Sequence, residues 1–215
     1  MVRVLSVFAS TTGLLVLTAC ANGSGAGLPT SASLSQRPLA KPEAANLLKD
    51  GGFEKPAVAS GSFLVFSTGQ KFAKWAVVGA NGNVGVVSGA FTQNGFKFPA
   101  RSGKQWVDLT GTSQTATGIS QTLSTTPNAK YKLVFWIGNV YNPSGIFGVS
   151  STVNVLVNGQ QIFTATNSRK STTQVWKQFS TTITAASSKT TIALMNGDPA
   201  NDTNDGLDDV RVFAQ

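Results

Sequence analysis

Residues 46–215 predict an all-β domain of the β-sandwich type. Three observations carry that reading: short apolar runs recur between turn signals, no amphipathic pattern extends beyond a few helical turns, and Thr, Ser, Val, Phe and Gly dominate. Many short strands at such spacing bury their apolar faces by stacking two sheets or closing one on itself.

The runs cover 63–66, 75–78, 84–87, 105–109, 119–123, 131–137, 153–157, 179–183, 191–194 and 210–213. Between 75–78 and 84–87 stands Asn81-Gly82, a pair that tolerates the positive φ of a tight hairpin, so these two runs are expected to be joined as one. In 105–109, alternation sends Val107 and Leu109 one way and Trp106 and Asp108 the other. In 131–137, Tyr131, Leu133, Phe135 and Ile137 share one face, leaving Lys132, Val134 and Trp136 opposite. Asn158-Gly159 predicts a second hairpin, linking 153–157 to 161–165. The facing of 153–157 stays open, because Leu156 interrupts the alternation of Val155 and Val157.

Before the domain, Arg3 and the apolar stretch 4–16 lead into Leu17-Thr18-Ala19-Cys20, the pattern of a lipoprotein signal peptide over 1–19. The stretch is short for a bilayer span, and small residues precede a thiol that can be lipid-linked. Cys20 is therefore the expected lipidation site. With no acidic residue after it, the outer membrane is the expected location, by resemblance to Gram-negative lipoproteins. Residues 20–45, rich in Ala, Gly, Ser and Pro, read as the lipidated N-terminus and a flexible tether.

Composition excludes more than it selects. The chain contains no histidine and one cysteine, which removes Ser-His-Asp and Cys-His hydrolysis, the usual catalytic zinc sites and disulfide stabilisation. A formal net charge of +8, without basic runs, favours acidic polysaccharide, lipopolysaccharide or peptidoglycan over nucleic acid, or else simple solubility.

Trp106 and Trp136 are the candidate carbohydrate platforms, since each points away from the apparent core and an exposed indole stacks on the apolar face of a sugar. Lys104, Lys132 and Asn139 would then bind hydroxyls or uronates, with Lys97 and Arg101 adding positive charge. The competing reading is that both indoles cover sheet edges or pack under loops.

The segments 46–54, ending in Phe53-Glu54, and 206–210, Gly-Leu-Asp-Asp-Val, carry a family likeness together with Trp75, 105–109, 118–123 and 131–135. In order and spacing they resemble the choice-of-anchor C family, which is related to plant cell-wall proteins of a domain-of-unknown-function family. The resemblance spans nearly all of 46–215. It implies a galactose-binding-like jelly-roll sandwich of the carbohydrate-binding-module kind, in which Glu54 and Asp208 ligate a structural Ca²⁺ and Trp75 and Trp176 are structural. The loop 198–206 misses the EF-hand pattern, since counting from Asn201 puts Val212 where Glu is required. It reads as an acidic turn region, one carboxylate of which could complete the Glu54–Asp208 site. The functional expectation is a non-catalytic, lipid-anchored glycan-binding protein of the envelope. Rivals are a structural or protein-interaction module, and a glycosidase using carboxylates among Glu54, Asp108 and Asp208.

Overall fold

The computed structural model describes residues 45–198 and 204–215. The expected leader, Cys20 and all but the end of the tether lie outside these residues, as does the middle of the acidic loop. Among the described residues no helix is long and apolar enough to cross a membrane.

The strands are β1 (Phe63–Ser67), β2 (Lys71–Phe72), β3 (Trp75–Gly79), β4 (Asn83–Ser88), β5 (Thr92–Gln93), β6 (Phe96–Lys97), β7 (Gln105–Asp108), β8 (Thr117–Ser124), β9 (Lys130–Asn139), β10 (Ser151–Val157), β11 (Gln160–Asn167), β12 (Val175–Thr184), β13 (Lys189–Asn196) and β14 (Gly206–Ala214). They form two six-stranded sheets and a small β5-β6 ribbon. The first sheet runs β1-β4-β7-β14-β9-β12, the second β11-β10-β13-β8-β3-β2, and every pairing within them is antiparallel. The fold is a jelly-roll β-sandwich.

Alternation builds the core. Leu133, Phe135 and Ile137 of β9 are fully buried, facing inward with Val107, Leu109, Ile119, Ile192 and Leu194. Each such side chain contributes about 1.5–3 kcal/mol by leaving water. Val153 and Val155 point inward while Asn154 and Leu156 are half-buried, and a register shift between Val155 and Leu156 accounts for the broken pattern.

The two Asn-Gly pairs part company. Asn158 and Gly159 both take positive φ, 50° and 84°, and join β10 to β11 as a hairpin. Asn81-Gly82 does not make the expected hairpin: β3 belongs to the second sheet and β4 to the first, so the chain crosses the sandwich here. Gly82 is instead needed for packing, because a Cβ would lie 2.1 Å from Thr115 Oγ1. The strands on either side pair instead with β8 and with β1 and β7.

The entry segment is laid against the final strand. Leu47 N–H donates to the Val212 carbonyl and Val210 N–H to the Gly51 carbonyl, each at 2.9 Å. Gly51 is obligatory, since a Cβ there would sit 2.0 Å from the Val210 oxygen. Trp75 is fully buried beneath this segment, donating its indole N–H to the Asp50 carbonyl at 2.9 Å. β14 itself lies mid-sheet between β7 and β9, with a bulge at Asp209, whose φ is 53°.

Candidate functional site

The outer face of the first sheet is where the site residues gather. It carries a second apolar layer: Val87, Phe98, Trp106, Val140 and Phe147 are buried together, with Phe91, Phe96 and Trp176 against them. Loops following β4 and β9 supply this cover. Trp106 does point away from the core, as alternation requires, but it is only 1% exposed. Its indole N–H donates to the Phe98 carbonyl at 3.0 Å, and its ring lies 6.3 Å from Trp176. Trp106 is therefore not an exposed platform.

Trp136 is half-buried on the same face, with the Arg101 guanidinium 4.0 Å above its ring centre. A cation–π contact takes the surface a sugar would need. The two indoles do not form one open groove. Trp176 donates its N–H to the Pro99 carbonyl at 3.0 Å, pinning the covering loop. Asn139, expected to reach a ligand, is fully buried: its amide donates to the Arg169 carbonyl at 2.9 Å and its oxygen accepts from Ser151 Oγ at 2.9 Å. That side chain is committed to the loops after β9 and β11. Lys104 and Lys132 are exposed, on the covering loop and on β9 respectively.

Glu54 and Asp208 meet the same loop, 101–105, from its two ends. Asp208 Oδ2 accepts the N–H groups of Arg101 (2.9 Å) and Ser102 (3.1 Å), and Oδ1 accepts that of Asp209 (2.6 Å). Glu54 Oε1 accepts the N–H groups of Lys104 (2.8 Å) and Gln105 (3.2 Å). Burial pushes the Asp208 carboxyl up to about 7, against the lowering effect of those three N–H bonds. Calcium takes six to eight oxygens. Here five N–H groups converge on the carboxylates, and Gln105 Nε2 already occupies the Phe53 and Pro56 carbonyls at 2.7 and 3.0 Å. The arrangement fits a clasp on the loop rather than a closed calcium cage, and among the described residues no three His, Cys, Asp or Glu side chains group as metal ligands.

Beside the covered region, towards the β1 edge, a cavity of about 300 Å³ opens. Two cross-strand rows make its floor: Phe63–Val87–Trp106 and Val65–Gly85–Asp108, the latter continuing to Gly206. Glycine on both sides of Asp108 leaves the carboxylate in a trough. Its Oδ1 accepts from Thr110 N–H (3.0 Å) and Oγ1 (2.6 Å), which orients the group. Phe91, Phe98 and Phe147 wall the cavity, and Gln93, Thr112 and Gln114 supply neutral polar groups. Sequence reasoning missed this site. Its signal was Gly85, a glycine inside an otherwise valine-rich strand, which marks close approach of something other than a side chain.

Residues 46–212 match the model of the family described as "Protein of unknown function (DUF642)". The chain belongs to this family. A comparison with curated proteins found no match. Among solved structures, the DUF642 domain is similar to a cyclase from Fischerella sp. TAU in complex with 4-(1H-indol-3-yl)butan-2-one, at 20% identity and TM-score 0.58, covering 80% of this chain and 98% of that one. A second structure of a cyclase from that organism gives 19% identity and TM-score 0.52 over the same shares. A family 35 carbohydrate-binding module from Clostridium thermocellum aligns at 12% identity and TM-score 0.44, over 72% of this chain and 99% of that one. At these identities the likeness to the Fischerella proteins is one of fold.

Proposed function

We propose that the DUF642 domain of this chain is a non-catalytic glycan-binding module, held at the cell envelope through lipid on Cys20, and that its sugar sits in the β1-β4-β7 cavity. The observation that carries this reading is the trough: an apolar and aromatic floor with one oriented carboxylate and several neutral polar groups. The apolar face of a pyranose packs on Phe63, Val65 and Phe91, while its hydroxyls donate to Asp108. A carboxylate at the floor disfavours a uronate, so the ligand is a neutral sugar, a change from the acidic glycan that net charge suggested. The finer kinship to the choice-of-anchor C group, and the outer membrane as address, belong to the same proposal.

Absence of catalysis is inferred from charge placement. Glycoside hydrolysis needs two carboxyl groups facing each other across the sugar. Among the described lining residues Asp108 is the single carboxylate, while Glu54 and Asp208 are turned to the 101–105 loop. A second reading, a protein-interaction module, is favoured by one feature: Phe63, Leu64 and Val65 on edge strand β1 are each about 40% exposed.

The test is retention on a panel of neutral and acidic polysaccharides. Binding of a neutral glycan, lost in Asp108→Asn and Phe63→Ala but kept in Trp136→Ala, supports the site. No retention by any polysaccharide, or an Asp108→Asn variant equal to the parent, rejects it.

A further inference from the structure

Backbone N–H groups meet Glu54 Oε1 and both oxygens of Asp208, but in a second carboxylate pair two buried oxygens are left without a donor. Asp205 is 0% exposed. Its Oδ1 accepts the Thr152 N–H at 3.0 Å, whereas its Oδ2 is buried with no hydrogen-bond partner. The Asp198 side chain lies within hydrogen-bonding reach of Asp205, and Asp198 Oδ2 is likewise buried and unpartnered. Ionised carboxylates are acceptors only, so two of them together in a low-dielectric site repel unless a cation or a proton lies between. Burial, then the nearby Asp198 and Asp108 charges, push the Asp205 carboxyl well above the usual carboxylate range.

We propose that Asp198 and Asp205 form a binding site for a hard divalent cation of the calcium or magnesium class. Both groups are held in place by their surroundings. Asp198 follows β13, with its N–H on Asn196 Oδ1 at 2.7 Å, and Asp205 precedes β14, with its carbonyl accepting the Leu109 N–H at 3.1 Å. The cation therefore links the end of one sheet's strand to the start of the other sheet's central strand. Two carboxylates leave most of the coordination sphere to neutral oxygens and water, as magnesium and weaker calcium sites allow. The carboxylates that call for a cation are these two, each with a buried oxygen that lacks a donor, and not the Glu54–Asp208 pair, in which Asp208 has donors on both oxygens and Glu54 is exposed.

Isothermal titration of the EDTA-treated full chain with CaCl₂ and MgCl₂, paired with thermal melts, tests the site. One equivalent is expected to bind, with a melting temperature that rises with cation concentration. Asp198→Asn and Asp205→Asn lose that equivalent and the response. Asp205→Asn can still fold, because the amide keeps an acceptor for Thr152 and gains a donor towards Asp198. Glu54→Gln retains both. The proposal is overturned if the parent binds no cation and its melting is insensitive to cations, which is the result for a shared proton only. It is equally overturned if binding survives in Asp198→Asn, or is lost in Glu54→Gln.

Discussion

Replacing Gly85 by leucine separates the cavity from the fold. The Gly85 backbone is not in the left-handed region, and a Cβ would meet Val87 Cγ2 at 3.5 Å and Asp108 Cβ at 3.7 Å, ordinary contacts. The backbone thus accepts the change, and removing a strand glycine adds about 0.5–1 kcal/mol of stability. For a domain of this size that is about 1–4 °C in melting temperature. The four added carbons, at roughly the ~30 Å³ share of a water each, amount to about 120 Å³. That is more than a third of the cavity's roughly 300 Å³. A sugar displaced from Val65 loses burial of two or three carbon groups at about 0.8 kcal/mol each. The loss of about 2 kcal/mol corresponds to roughly thirtyfold weaker binding. Affinity electrophoresis in the retained glycan, beside melting by circular dichroism, measures both. Gly85→Ala should stay near the parent in affinity. A Gly85→Leu protein that melts at or above the parent temperature and binds the glycan equally well would refute the placement of the ligand.

Other outcomes follow from burial and charge. Trp106→Ala should cost about 3–5 kcal/mol in urea unfolding, because the indole fills the second apolar layer; a loss under 1 kcal/mol would contradict that packing. Trp136→Ala, half-buried under Arg101, should cost far less. Because the folded-state carboxyl of Asp208 is raised from 3.8 to about 7, its protonated form favours the fold. Its contribution, up to about 4 kcal/mol, is full below about pH 4 and lost as pH rises towards 7. Urea midpoints measured in EDTA should fall over that interval, with buried Asp205 acting in the same direction; midpoints that rise would count against both assignments. Gly159→Val, at φ 84°, should destabilise the β10-β11 hairpin by about 1 kcal/mol or more, and an unchanged midpoint would show that the turn does not need the left-handed residue.

Local periodicity was a good guide wherever one strand decides its own faces. Tyr131, Leu133, Phe135 and Ile137 point to the core as alternation demands, and Asn158-Gly159 turns where its φ tolerance allows. Asn81-Gly82 misled because turn tolerance does not say which sheet the next strand will join. For Trp106 the direction was legible and the environment was not: alternation gives two faces, but only the folded loops show that the outer face is covered again by Phe98 and Phe147. Asn139 failed for the same reason, its amide being claimed by carbonyls distant in sequence. Glu54 and Asp208, singled out from the two ends of the domain, do come to one loop. What the residue types could not show is that backbone N–H groups, rather than carbonyl oxygens, wait for them.

The central place of β14 also sets when the domain can close. Strands β1, β4 and β7 form one half of the first sheet and β9 and β12 the other, and neither half can pair across the gap until β14 arrives from the ribosome. Leu207, Val210 and Val212, all fully buried, arrive with it. A growing chain thus holds two incomplete half-sheets with open backbone edges until nearly every strand has been made. On the export reading proposed above, such lateness would favour a threadable chain during passage and defer closure to the far side.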